Sequence, residues 1–128
     1  MIGTRFWASH EALVHPRILD RALRATGDDT IRTQVVDVVR GFNWPGRYNG
    51  RVLNNPFIQK WHGSEDALKL EAGVEAAKWA AAQEGGDPDV ATAFAGEGIG
   101  LIRSAAPAGD ILAKLIADGQ RCLAGADA

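Results

Sequence analysis

The chain opens on a mixed run. Ile2-Gly3-Thr4-Arg5-Phe6-Trp7 sets β-branched and aromatic residues around one glycine, which predicts a short strand, or a strand end running into a loop. His15-Pro16 then marks a helix start, because proline is accepted in the first turn, and Ile18, Leu19, Ala22 and Leu23 follow on one face. Gly27-Asp28-Asp29 ends that helix. From Thr30 to Val39 the β-branched residues crowd together (Thr30, Ile31, Thr33, Val35, Val36, Val38 and Val39). A strand is preferred there, although Ile31, Val35 and Val38 also fit a helical face. Gly41 to Gly50 holds three glycines, a proline and two asparagines, so it reads as an aromatic-rich loop. Its Phe42, Trp44 and Tyr48 either pin the loop to the core or serve a ligand.

Ser64 before Glu65 and Asp66 gives an N-cap with acids in the first turn, where the helix dipole favours them. Leu70, Val74, Ala77 and Ala81 supply the predicted buried stripe of a helix running to Gly85-Gly86. A last helix should begin near Pro107 and bury Ile111, Leu112, Leu115, Ile116, Cys122 and Leu123. Gly119 within it costs about 1 kcal/mol relative to alanine. The sequence carries no internal repeat, low-complexity tract or heptad pattern.

At 128 residues, 46% of them hydrophobic, the chain reads as one soluble domain. No apolar run approaches the roughly 20 residues of a membrane helix, and Met1 to His10 lacks the pattern of a secretory signal, so a cytoplasmic location is expected. Cys122 is the only cysteine, which excludes an internal disulfide; a buried, inert thiol is expected. A net charge of −2 argues against nucleic acid as a partner. Yet residues 1 to 51 carry eight arginines against five acids, giving +3, while residues 52 to 128 carry six basic and eleven acidic groups, giving −5. The arginine-rich half is either a solvated surface or the side that meets an anion such as a phosphate.

Chemistry-bearing residues are sparse. His10, His15 and His62 have no second ligand at the spacing of a metal motif, and no nucleophile elbow is present. His15 belongs more simply to a helix start than to an acid–base pair. Gly96-Glu97-Gly98-Ile99-Gly100 has the look of a phosphate turn. However, no convincing strand precedes it and Leu101 stands where the dinucleotide fingerprint needs a glycine, so close backbone packing explains it better.

What stands out is an order of motifs. Gly3-Thr4-Arg5-Phe6 comes first, then Val14-His15-Pro16, Asp29-Thr30, and Arg47 or Arg51 ahead of Asn54 and Asn55. Gly96 to Ile102 follows, leading into an amphipathic helix. Over residues 2 to 124 this resembles the C-terminal portion of the nitronate monooxygenases, formerly called 2-nitropropane dioxygenases. The resemblance implies a mainly α fragment with one or two short strands, forming the C-terminal part of a (β/α)8 barrel flavoenzyme. Such an enzyme binds FMN and oxidises alkyl nitronates with O2 to a carbonyl compound and nitrite. Residues 1–10 would end the last barrel strand and carry the FMN-phosphate loop, residues 11–94 would form a mainly helical lid over the substrate, and residues 95–128 would supply the closing helix.

Ile2, Gly3 and Thr4 match the phosphate-binding position, where glycine lets backbone N–H groups approach an anion. Arg5 would add charge if it turned inward. A barrel of this kind takes about 250 residues, so seven strands and the family's catalytic histidine are not represented, and no catalytic residue is assigned. The fragment is expected to be inactive alone and to self-associate through exposed apolar helix faces. Two alternatives stay open: a relative of the flavin-dependent enoyl-acyl carrier protein reductases, and a free-standing helical interaction module using the Phe42 to Tyr48 loop and an exposed Trp61.

Overall fold

A computed structural model describes residues 2–126 of the chain; Met1 lies outside the described residues. The first helix, α1, spans Gly3–Trp7, and α2 spans Pro16–Arg24. A short 3-10 turn, Gly27–Asp29, leads into β1 (Thr30–Thr33), followed by α3 (Val35–Val39) and β2 (Gly50–Leu53). Then come α4 (Pro56–Trp61), α5 (Glu65–Leu70) and α6 (Ala72–Gly85). A second 3-10 turn, Glu97–Leu101, precedes α7 (Ala108–Ala126). The fold is mainly helical with two short strands, as expected. No helix among the described residues is long and apolar enough to cross a membrane.

β1 and β2 pair antiparallel, with Thr30 opposite Leu53 and Arg32 opposite Arg51. On its other edge β2 meets the run after α6: Leu53 N–H donates to Ala93 and Ala95 N–H to Arg51. Val52 and Leu53 are both fully buried and, as neighbours in a strand, they face opposite ways. Leu53 joins Ile18, Ala22, Ala25, Ala82, Ala93 and Ile99 in one core. Val52 joins Val35, Val36, Phe57, Ile58, Trp61 and Leu68 in the other. Burying each Val, Leu, Ile or Phe side chain here contributes about 1.5–3 kcal/mol. Asn55 locks this centre: its side-chain oxygen accepts from Ile58 N–H to cap α4, and its amide nitrogen donates to the carbonyls of Pro88 and Ala91.

Several sequence expectations give way. Ile2–Trp7 holds a helix from Gly3 rather than a strand, because Phe6 and Ala8 N–H groups close turns onto Ile2 and Thr4 and, among the described residues, no strand pairs with it. The Thr30–Val39 strand stops at Thr33, whose hydroxyl accepts from Val35 N–H and starts α3. Ser64 makes no side-chain cap, and the helix expected after it breaks at Glu71 into α5 and α6. The buried face of that pair carries Leu68, Glu75 and Ala82, while Leu70, Val74, Ala77 and Ala81 are exposed. Among the described side chains of α7 only Ile111 is buried; Leu112, Ile116, Leu123 and Cys122 are exposed, so the thiol is not a core residue. Trp61 is 5% exposed and belongs to the core, which removes it from any contact surface.

His15 does start α2, its Nδ1 accepting from Arg17 N–H. The ring packs against Gly86, which ends α6 at φ 66°. Gly86→Ala should therefore destabilise by more than about 1 kcal/mol, from the left-handed backbone alone. The added methyl would also overlap the His15 ring. Neighbouring Gly85→Ala, with open space and a helical backbone, should stabilise by about 0.5–1 kcal/mol. Urea unfolding of both variants tests the pair; equal midpoints would refute it. A pH dependence follows at Asp29, whose carboxyl is held below its ordinary value of 3.8 by hydrogen bonds from Thr26 N–H and hydroxyl. A lowered value adds stability above 3.8 that fades as pH falls through the folded-state value. Asp29→Asn should lose about 1 kcal/mol at pH 7, and chemical denaturation should find that deficit shrinking steadily on acidification.

Candidate functional site

α1 brings Gly3 and Thr4 against the segment after Ala93. Thr4 Oγ1 accepts from Gly96 N–H at 3.0 Å, which leaves the hydroxyl proton free to donate elsewhere. Nothing lies within 4 Å of where a Gly3 side chain would begin. The two residues line a 660 Å³ cleft with Trp7, Arg32, Asn49, Arg51 and the run Phe94 to Glu97. Ile2 is exposed and lies outside that lining. Arg5 turns away, its guanidinium donating to the Ser104 carbonyl at 2.7 Å.

The electrostatics come from the hairpin. Arg32 and Arg51 face each other across β1 and β2. Like charges directly opposite repel, so the pair raises the positive potential of this cleft unless it is neutralised. Among the described residues Arg32 donates only to neutral groups, the side-chain oxygen of Asn49 at 2.7 Å and its carbonyl at 3.2 Å. Arg51 meets Thr30 Oγ1 at 3.1 Å and Glu97 at 2.8 Å. One exposed carboxylate thus answers two guanidinium groups. Sequence reading missed Arg32, and named Arg51 only as part of a motif. The strand at Thr30 carried the signal, but the register that opposes the two arginines did not show in one dimension.

The glycine-rich turn behaves as close packing, from the opposite side. Gly27, not Gly98, is the tight position: a side chain there would start 2.7 Å from the Glu97 carbonyl oxygen.

A second cleft, of 430 Å³, opens beside the first and shares Asn49 and Phe94 with it. α3 ends in a two-bond cap, Gly41 N–H donating to Val38 and Phe42 N–H to Asp37, with Gly41 at φ 73°. That turn projects Arg40 and Phe42 from one helix end. The Arg40 guanidinium lies 4.8 Å from the Phe42 ring centre and 5.9 Å from that of Phe94. Gln34 donates to the Tyr48 carbonyl at 2.7 Å and holds the far end of the loop. Phe42, Trp44 and Tyr48 are therefore not pinned into the core; they line the opening with Asp37 and Phe94. Burial pushes the Asp37 carboxyl above the ordinary carboxylate value, with Arg40 pulling the other way.

None of the three histidines lines either cleft. His15 is a helix cap, and His62 lies 3.7 Å from Glu65. Among the described residues no group of acidic, histidine and cysteine side chains could hold a metal ion.

No family model matches the chain. Over 110 residues it is 36% identical to the nitronate monooxygenase npaC of Metarhizium robertsii, a match covering 80% of this chain and 29% of that protein. The chain is a homologue of part of a nitronate monooxygenase. It spans under a third of that relative's length. The fold superposes on FabK of Thermotoga maritima with a TM-score of 0.75 at 25% identity, over 98% of this chain and 38% of that one. A FabK mutant gives 0.68 at 24%, over 98% and 35%. Such coverage is consistent with a piece of a (β/α)8 barrel flavoenzyme, and the nitronate monooxygenase relative is an oxidoreductase.

The Thr4 to Gly96 hydrogen bond ties α1 to the cleft wall across 92 residues of sequence. Thr4→Val keeps the shape and leaves a part-buried N–H without its acceptor, so it should cost about 1–2 kcal/mol. A urea midpoint that does not move would show the bond to be dispensable.

Proposed function

We propose that this chain forms the phosphate-side wall and the substrate cover of an FMN-dependent enzyme that oxidises alkyl nitronates with O2. The observation that carries this reading is the opposed pair Arg32 and Arg51 beside Gly3 and Thr4, an under-neutralised positive site of the kind a phosphate monoester suits. The residues fit such a group at that end. Gly3 leaves room for an anion to approach the backbone, Thr4 has a hydroxyl proton to give, and two guanidinium groups supply charge. Similarity to a nitronate monooxygenase supports the choice of reaction, and likeness to FabK supports a flavin.

Bound FMN would supply the redox chemistry, accepting electrons from the nitronate and returning them to O2. The chain's own part is placement. Residues 2–10 hold the phosphate side, residues 11–94 cover the substrate, and residues 95–126 close the fold, with Glu11 accepting from Ala108 N–H at the start of α7. No histidine stands in either cleft to take a proton, so this stretch by itself should not turn over. A cytoplasmic location and small-molecule partners, nitronate and O2, follow from the same reading.

Titrating FMN into the purified chain and following flavin fluorescence tests it. Saturable micromolar quenching is expected. Gly3→Asp, which has room for its side chain but sets a carboxylate against the phosphate, should weaken it by at least about tenfold. Absence of saturation in the unmodified chain, or equal affinity in the variant, would overturn the assignment.

A further inference from the structure

Four aromatic side chains among the described residues are exposed: Phe42 at 48%, Trp44 at 57%, Tyr48 at 49% and Phe94 at 41%. All four line the same 430 Å³ cleft. Scattered exposed aromatics need no explanation, but their convergence on one concave opening of ligand size does. The loop is built to hold them there. The cap at Gly41 fixes Phe42, Gln34 fixes Tyr48, and the Phe94 ring lies over Gly50, where a side chain would start 2.9 Å or less from two ring carbons.

The charge at the opening decides what could enter. Aromatic faces attract cations, yet this protein has already placed its own: Arg40 lies over Phe42 and Phe94, and Arg47 lies 4.8 Å from the Tyr48 ring centre. A cationic guest would meet guanidinium groups. Among the described residues the Arg40 side chain makes no hydrogen bond and has no ion-pair partner within 4.0 Å, so its planar fork of donors remains available. Asp37, a residue only 7% exposed, lines the same cleft and opposes an anion.

We propose that this cleft binds a small planar oxyanion bearing an apolar chain or ring, with Phe42, Trp44, Tyr48 and Phe94 taking the apolar part and Arg40 the two oxygens. A carboxylate and a nitronate share that shape, and a guanidinium matches it with two parallel hydrogen bonds. Binding stands independently of any flavin. Only its identity as the pocket for the nitronate's side chain rests on the proposed function, because the two clefts meet at Phe94 and Asn49.

Calorimetric titration of the purified chain with octanoate, octanol and acetate, without flavin, tests the proposal. Octanoate should bind at least about tenfold more tightly than octanol, and acetate should give no saturable signal. Arg40→Gln should lower octanoate to the affinity of octanol and leave octanol unchanged. Asp37→Asn should tighten octanoate, having removed the opposing carboxyl. Arg40 is exposed, so its replacement should preserve the fold, and far-ultraviolet circular dichroism checks that directly. Arg40→Lys, which keeps the charge without the fork, should recover part of the preference. Equal binding of octanoate and octanol to the unmodified chain would overturn the site, as would octanoate binding untouched by Arg40→Gln. Those failures are separable from failure of the flavin reading, since FMN is absent from every arm.

Discussion

Adjacent residues of one four-residue strand hold this molecule together. Val52 and Leu53 bury in opposite directions, each into its own core, and β2 can do this only because both of its edges are hydrogen-bonded. A strand buried on both faces must satisfy every backbone group within the protein. β1 supplies one edge and the segment Thr92 to Ala95 the other, with Thr92 Oγ1 donating to the Leu53 carbonyl at 2.6 Å. Position follows from that constraint. Arg51, one residue earlier in β2, is set against Arg32, and Phe94, opposite Val52, is set over Gly50. Both clefts are consequences of how β2 is flanked.

Legibility in the sequence divided along physical lines. Local chemistry read true: the proline start of α2, the glycine-rich loop, and the start of α7 one residue after Pro107. Tertiary choices did not. Across α5 and α6 the apolar side chains Leu70, Val74, Ala77 and Ala81 suggested the inner face. The fold instead turns Glu75 inward, 3.2 Å from Lys60, with Trp79 partly buried beside it. Periodicity identifies a face of a helix, not the side that the rest of the chain will cover, and alanine-rich turns weaken the contrast further. The β-branched density after Thr30 failed similarly. A strand needs a partner along its whole length, and the partner here ends with register at Thr33 opposite Gly50. Of the three site residues read from sequence, Gly3 and Thr4 meet in the cleft. Arg32 joins them only through pairing, which no local pattern encodes.

The uncovered faces differ between helices in an informative way. α2 is well covered, with Ile18 and Ala22 buried against Leu53 and Ile99, whereas α7 buries only Ile111 among its described side chains and exposes Leu112, Ile116 and Leu123. The helix that packs on the chain's own hairpin is covered, and the one that does not is left open. The chain matches under two fifths of the FabK chain. Of the contact surface expected for a free-standing module, the Phe42 to Tyr48 loop is exposed but Trp61 is interior.

Phe94 connects the remaining arguments. Its backbone is held by the single bridge to Val52, and its ring is over Gly50, under the reach of Arg40, and in the wall of both clefts. A residue at such a junction transmits shape, because a ring displaced from Gly50 widens one opening at the expense of the other. The shape of the aromatic cleft should thus be governed less by the loop that carries three of the aromatics than by the strand that fixes the fourth. That strand cannot shift without opening both cores, so the boundary between the two clefts is as rigid as β2 itself.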